Sequence, residues 1–178
     1  MIFTETPLKG AYLIEPERHS DERGFFARVY CQDEFAALGL HIDWVQCNIS
    51  YNERRDTLRG LHYQAPPHEE PKLVRCTQGT IYDVIVDIRP DAPTAYTWYG
   101  VELSAQNRQM LYIPAGFAHG FQTLTDASEV FYQMGAFYEP SAGRGLRWDD
   151  PALGITWPDV DSPRIISAKD QSYAYLER

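Results

Sequence analysis

Ten short runs rich in Val, Ile, Tyr, Phe and Trp, punctuated by Gly, Pro, Asn and Asp, constrain this chain more than any other feature. The first reads Ala11 to Ile14. The series continues with Phe25 to Tyr30, Asp43 to Ser50, Leu58 to Gln64, Lys72 to Thr77 and Thr80 to Arg89. Tyr96 to Leu103, Gln109 to Ile113, His119 to Leu124 and Glu129 to Phe137 complete it. Such runs are strand material, and the residues between them are turn formers. Ser20 to Gly24 reads as one of these turns. Only Gln32 to Gly39 has helical character, with Gly39 as its stop. The pattern predicts an all-β fold, a sandwich or barrel with a few short helices. No linker, repeat or low-complexity stretch divides residues 1–178, so a single domain is expected. Its closing segment, about 154–178, carries Pro158 and Pro163 and is expected to wrap the strands in short turns or a terminal helix.

Charge narrows the partners. Lys and Arg total 16 against 25 Asp and Glu, a formal charge of −9. That sign argues against nucleic acid and membrane surfaces, which are polyanions. No apolar run approaches the ~18 residues of a membrane span. The start MIFTETPLKG has no basic region followed by an apolar one, so a leader is not expected. Three scattered cysteines, Cys31, Cys47 and Cys76, form no framework and suit free thiols in a reducing cytoplasm.

Chemistry concentrates in two segments. Arg59-Gly60-Leu61-His62-Tyr63-Gln64 places Arg59 and His62 on opposite faces of an ideal strand. A bulge near Gly60 would bring them to one pocket. The segment Pro114 to Phe121 contains P-x-G-x-x-H, the second half of the cupin signature, which delivers His119 to the mouth of a jelly roll. The first half, H-x-H, is missing because His62 has no second His two places on. The five histidines, 19, 41, 62, 68 and 119, show no ligand spacing, and a catalytic metal needs about three protein ligands. No metal and no cofactor is therefore expected, with a metal-dependent cupin oxygenase or isomerase as the alternative from another class. Taken singly, Lys72 reads as a guard on a sheet edge, Tyr132 as a packed strand tyrosine, and Asp170 as a solvated carboxylate.

Taken together, these segments resemble one family. DERGFF (21–26), WVQCNIS (44–50), LRGLHYQAPP (58–67), KLVRCTQGTIYDVIVDIR (72–89), LSAQNRQMLYIPAGFAHGF (103–121), RGLRWDDPALGITWP (144–158) and SAKD (167–170) follow one another in order. The chain resembles the RmlC family, the dTDP-4-dehydrorhamnose 3,5-epimerases, from about residue 1 to 170. The resemblance implies a metal-free cupin jelly roll, usually a homodimer, that epimerises a nucleotide-linked 4-keto-6-deoxy sugar. It implies His62 as general base with Asp170 as its partner, Lys72 beside the C4 oxygen, and Tyr132 as general acid on the other face of the sugar. It implies Arg59 as a diphosphate contact and His119 in support. Gln46, Asn48 and Tyr138 would line the nucleotide site, with Arg23 and Phe26 reaching into the neighbouring subunit's site. Arg28 stands where the family pattern places an acid near the thymine. Gly143 also replaces an acid, and Gln133 to Phe137 departs from the usual run. These departures leave a CDP-, UDP- or GDP-linked sugar, or inversion at one carbon only, as alternatives.

Overall fold

A computed structural model describes residues 1–176. The elements, in chain order, are β1 (Ile2–Glu5), β2 (Tyr12–Glu15), β3 (Arg18–Asp21), β4 (Gly24–Ala27), α1 (Gln32–Ala37), β5 (Gln46–Asn52), β6 (Thr57–Gln64) and β7 (Lys72–Gln78). There follow β8 (Thr80–Asp87), β9 (Trp98–Ser104), β10 (Met110–Ile113), β11 (Phe117–Thr123), β12 (Ser128–Met134), β13 (Gly143–Gly145), β14 (Ile165–Ile166) and α2 (Ala168–Gln171). The first sheet has the order β1-β2-β10-β7-β12-β5. The second runs β13-β6-β11-β8-β9, with β14 added parallel to β6. The fold is thus mostly β with two short helices, as the alternation of apolar runs and turns predicts. No helix among the described residues is long and apolar enough to cross a membrane.

Strand alternation sorts the side chains into three apolar layers. Val74, Leu111 and Val130 of the first sheet meet Ile81, Ile85 and Phe121 of the second in a shared core. Behind the first sheet, Leu73, Met110 and Tyr112 pack with Phe35 of α1. Phe35 is fully buried and meets Phe3 and Tyr30 edge to face. The helix stops where Gly39 turns left-handed at φ +68°. Behind the second sheet, Leu58, Val84 and Ala118 are covered by Leu146, Leu153 and Trp157. The closing segment adds β14 and α2 along β6. Glu177 and Arg178, its last two residues, lie outside the described residues.

Two local readings change. Ser20 and Asp21 end β3 and Gly24 opens β4, so Glu22 and Arg23 alone form the turn. β3 carries the polar, wholly exposed sequence RHSD, which gives no apolar alternation to read. Lys72 does not guard an edge. β7 lies inside its sheet between β10 and β12.

The crossing of β6 and β11 is the tightest point of the site wall. A Cβ at Gly60 would lie 2.7 Å from both the Gly120 Cα and the His119 carbonyl oxygen, and φ there is +109°. Backbone cannot yield as a side-chain tip can. Gly60→Ala is expected to cost about 2–4 kcal/mol, read as a lower urea midpoint. An unchanged midpoint would mean that the two strands separate freely.

Candidate active site

Pairing between β6 and β11 skips a residue. His119 lies opposite His62, and Phe121 lies opposite Arg59. Three residues of β6 therefore match two of β11. This bulge reverses the facing parity, so Arg59 and His62 line the same cavity. The cavity measures about 440 Å³ and lies between the sheets. Gln46, Asn48, Lys72 and Tyr132 line it from the first sheet; Arg59, His62 and His119 line it from the second. Tyr138 stands at it from the segment after β12, 59% exposed.

Two histidine–carboxylate pairs stand side by side on the second sheet. The His62 Nε2 lies 2.7 Å from Asp170 Oδ1. Asp170 is held in turn: its Oδ2 accepts the Gly60 N–H at 3.2 Å, and its own N–H donates to the Ser167 cap at 3.0 Å. Burial, the largest influence, pushes the Asp170 carboxyl up. The hydrogen bond and charge of His62, with the Gly60 and Ser167 hydrogen bonds, outweigh it and leave the carboxyl below its ordinary value. An ionised carboxylate only accepts, so Nε2 carries the shared proton, and in the neutral ring the lone pair is on Nδ1. Asp170 does not border the cavity itself; it is 4% exposed behind His62. The solvated carboxylate suggested by local sequence is therefore buried, because α2 lays it against β6. The second pair is His119 Nε2 with Asp83 Oδ1 at 2.8 Å, the carboxylate fully buried.

The lowered Asp170 carboxyl has a stability consequence of definite sign. Its contribution is complete above the unfolded carboxyl pKa of about 3.9 and is lost as pH falls through the lower folded value. Asp170→Asn is expected to flatten the acid limb of stability against pH between about pH 5 and pH 2. An acid limb identical to that of the parent protein would remove this role.

On the first sheet, Lys72 is 5% exposed. Its Nζ lies 2.8 Å from Glu70 Oε1. Tyr132 sits beside it across the strand pair, with Met134 opposite Lys72 and Tyr132 opposite Val74. Burial above all pushes the Tyr132 phenol up; Glu70 adds to this and Arg59 opposes it. Arg59 is aimed by Asn52, whose Oδ1 accepts its Nε–H at 2.6 Å. The Gln46 Nε2 donates to Asn48 Oδ1 at 3.1 Å, and Gln46 Oε1 accepts the Tyr138 N–H at 3.4 Å.

Three expected residues lie away from this cavity in their own chain. Arg23 forms an ion pair with Asp21 at the tip of the β3–β4 hairpin, its side chain 84% exposed. Phe26 is 73% exposed. Arg28 pairs with Glu34 at 2.8 Å and borders a separate small cavity with Glu17 and His19. Gly143 does line the main cavity. Sequence reasoning missed Glu70, Asp83, Gln64 and Tyr173. Asp83 had a signal, an acid inside the apolar run YDVIVDI. Gln64 had none. Buried, it donates to the His68 and Phe137 carbonyls and accepts the Glu139 N–H, fastening both loops that flank the cavity. Among the described residues, no group of three or more His, Cys, Asp or Glu is placed to hold a metal ion.

Comparison with known proteins points to one family. The family described as dTDP-4-dehydrorhamnose 3,5-epimerase matches residues 5–178. The Salmonella typhimurium enzyme of that name is 42% identical over 179 residues, covering 100% of this chain and 97% of its own. The Bacillus anthracis dTDP-4-dehydrorhamnose 3,5-epimerase, solved with TDP and PPi bound, superposes with a TM-score of 0.93 at 43% identity, covering 98% of this chain and 99% of its own. The RmlC epimerase of Legionella pneumophila, solved with dTDP-4-keto-L-rhamnose, gives 0.91 at 35% identity, over 98% and 92%. With this identity along the whole chain and the same two-sheet fold, the protein belongs to the dTDP-4-dehydrorhamnose 3,5-epimerase family of isomerases.

Proposed function

We propose that the protein inverts C3 and C5 of a dTDP-linked 4-keto-6-deoxyhexose by removing and returning the proton alpha to the ketone, in the route to an L-rhamnose-type sugar. One observation carries this: a carboxylate-backed imidazole on one wall of the cavity faces a half-buried phenol and a buried ammonium on the other. His62 takes the proton, and Asp170 fixes its tautomer and stabilises the imidazolium. Charge then gathers on the C4 oxygen, and Lys72 stabilises it from its buried position. Tyr132 delivers a proton to the opposite face. Binding supplies the geometry, with Arg59 on the diphosphate and Gln46, Asn48 and Tyr138 on the nucleotide. His119, held by Asp83, supports the sugar from the same wall as His62.

Arg28 is committed to Glu34 within its own chain, which leaves dTDP, the nucleotide held by the relatives, as the proposed ligand. The working unit is a homodimer of single-domain subunits. Ile49 and Tyr51, on the edge strand β5, are 62% and 51% exposed, and burying them needs a partner. In that dimer Arg23 and Phe26 of each hairpin complete the other subunit's site. The unpaired Cys31, Cys47 and Cys76 suit a cytoplasmic location.

The test is NMR in D₂O with a panel of nucleotide-linked 4-keto-6-deoxyhexoses, alongside sedimentation of the free protein. Deuterium at both C3 and C5 of the dTDP sugar, and a mass twice the 20.4 kDa chain, are expected. No exchange with any member of the panel sinks the epimerase reading. Exchange at one carbon only, or only with another nucleotide, sinks the substrate assignment.

A further inference from the structure

The Lys72–Glu70 pair is unusual in its geometry. The two charges stand 2.8 Å apart with side chains 6% and 9% exposed. Among the described residues, no acceptor other than this one carboxylate reaches the ammonium. An ammonium has three N–H donors, so Glu70 supplies the opposite charge while taking at most one of them and leaving two. A buried ammonium left without a counter-charge is strongly disfavoured, whereas one whose N–H groups are already engaged is a poor partner for a new oxyanion. This arrangement avoids both conditions. The backbone on either side of Glu70 is also held in place. Gln64 Nε2 donates to the His68 carbonyl at 2.9 Å, and the Gly135 N–H donates to the Pro71 carbonyl at 2.9 Å. Glu70 thus sits on a short span tied to both β6 and the end of β12.

We propose that Glu70 is a positioning residue that balances the charge of the Lys72 ammonium and seats it beside the substrate's C4 oxygen while leaving two N–H donors for the enolate. This rests on the reading of Lys72 given above. Other titratable or charged groups share the cavity: Arg59, His62 and Tyr63 on β6, His119 on β11, Tyr132 on β12, Arg144 on β13, Lys169 on α2, and Tyr138 and Tyr173 beside them. Arg59 and Glu70 act on the Tyr132 phenol in opposite directions, and Glu70 favours its protonated form. Loss of the Glu70 charge therefore acts in one direction on both groups of this wall. The ammonium and the phenol each shed a proton at lower pH.

The experiment measures kcat and KM against pH for Glu70→Gln, Glu70→Asp and Lys72→Met in the intact protein, with thermal unfolding of each. Glu70→Gln keeps the shape and removes the charge. Its alkaline limb of kcat is expected to fall at a pH lower by about one unit, a loss of about tenfold near pH 9. KM should change by less than about threefold, and Glu70→Asp should restore the parent profile in part. Lys72→Met should lose at least about 100-fold in kcat at every pH. If Glu70→Gln follows the parent profile while Lys72→Met is inactive, the role of Glu70 is overturned and that of Lys72 stands. If Lys72→Met keeps near-parent kcat, both fall. If Glu70→Gln instead loses activity evenly across pH together with thermal stability, Glu70 is structural and the proposal is overturned.

Discussion

Replacing His62 by Ala is expected to abolish deuterium uptake at both C3 and C5, with turnover lowered by at least about 10³-fold. General base catalysis alone contributes about 10²–10⁴-fold, and the two nearest groups on this wall are already engaged. Asp170 is committed behind the ring and lies off the cavity. His119 is engaged by Asp83. The effect should appear in kcat rather than KM, because the imidazole acts on the reacting C–H bond and not on the nucleotide. The fold should survive. The His62 side chain is 46% exposed, so its truncation opens no core cavity, and a thermal midpoint within a few degrees of the parent is expected. Near-normal exchange by a folded His62→Ala protein would remove His62 as the base and with it the proposed chemistry.

Replacing Tyr132 by Phe is expected to divide two events that the parent enzyme couples. The base wall remains intact, so His62 still removes the proton, exchanges it with solvent and returns it to the same face. Deuterium then enters faster than configuration inverts. Delivery to the opposite face loses its donor, and inversion should fall by about 10²–10⁴-fold. The phenol suits that task because burial holds it protonated above its ordinary range. The substitution removes one oxygen from a half-buried ring, so a stability change under about 1 kcal/mol is expected. The informative quantity is the ratio of deuterium incorporated to carbon inverted, followed by NMR in one tube. If exchange and inversion decline together, Tyr132 is not the proton donor of the second face.

The sequence by itself determined the class of fold, because alternation and turn residues are local. Ten short apolar runs broken by Gly, Pro, Asn and Asp leave few options beyond stacked sheets. It also determined which segments carry chemistry. RGLHYQ, KLVR, P-x-G-x-x-H and SAKD are legible as motifs, and the residues they name gather around one cavity. The polar strand β3 and the two-residue β14 were not legible, since pairing alone makes them strands. Which side of a strand faces the site was not legible either. One extra residue in β6 against β11 reverses the parity of everything before it, and only the pairing partner reveals that. The partners of charged groups belong to the tertiary structure as well. Asp170 meets His62 across 108 positions of chain, and Asp83 meets His119 across 36. Glu70 lies only two residues from Lys72. Yet Glu70 precedes β7, so strand alternation does not aim its side chain, and it is the tied loop that brings this carboxylate beside the ammonium. Local periodicity fixes strands and faces, whereas charge pairing depends on distances that exist only once the sheets have closed on each other.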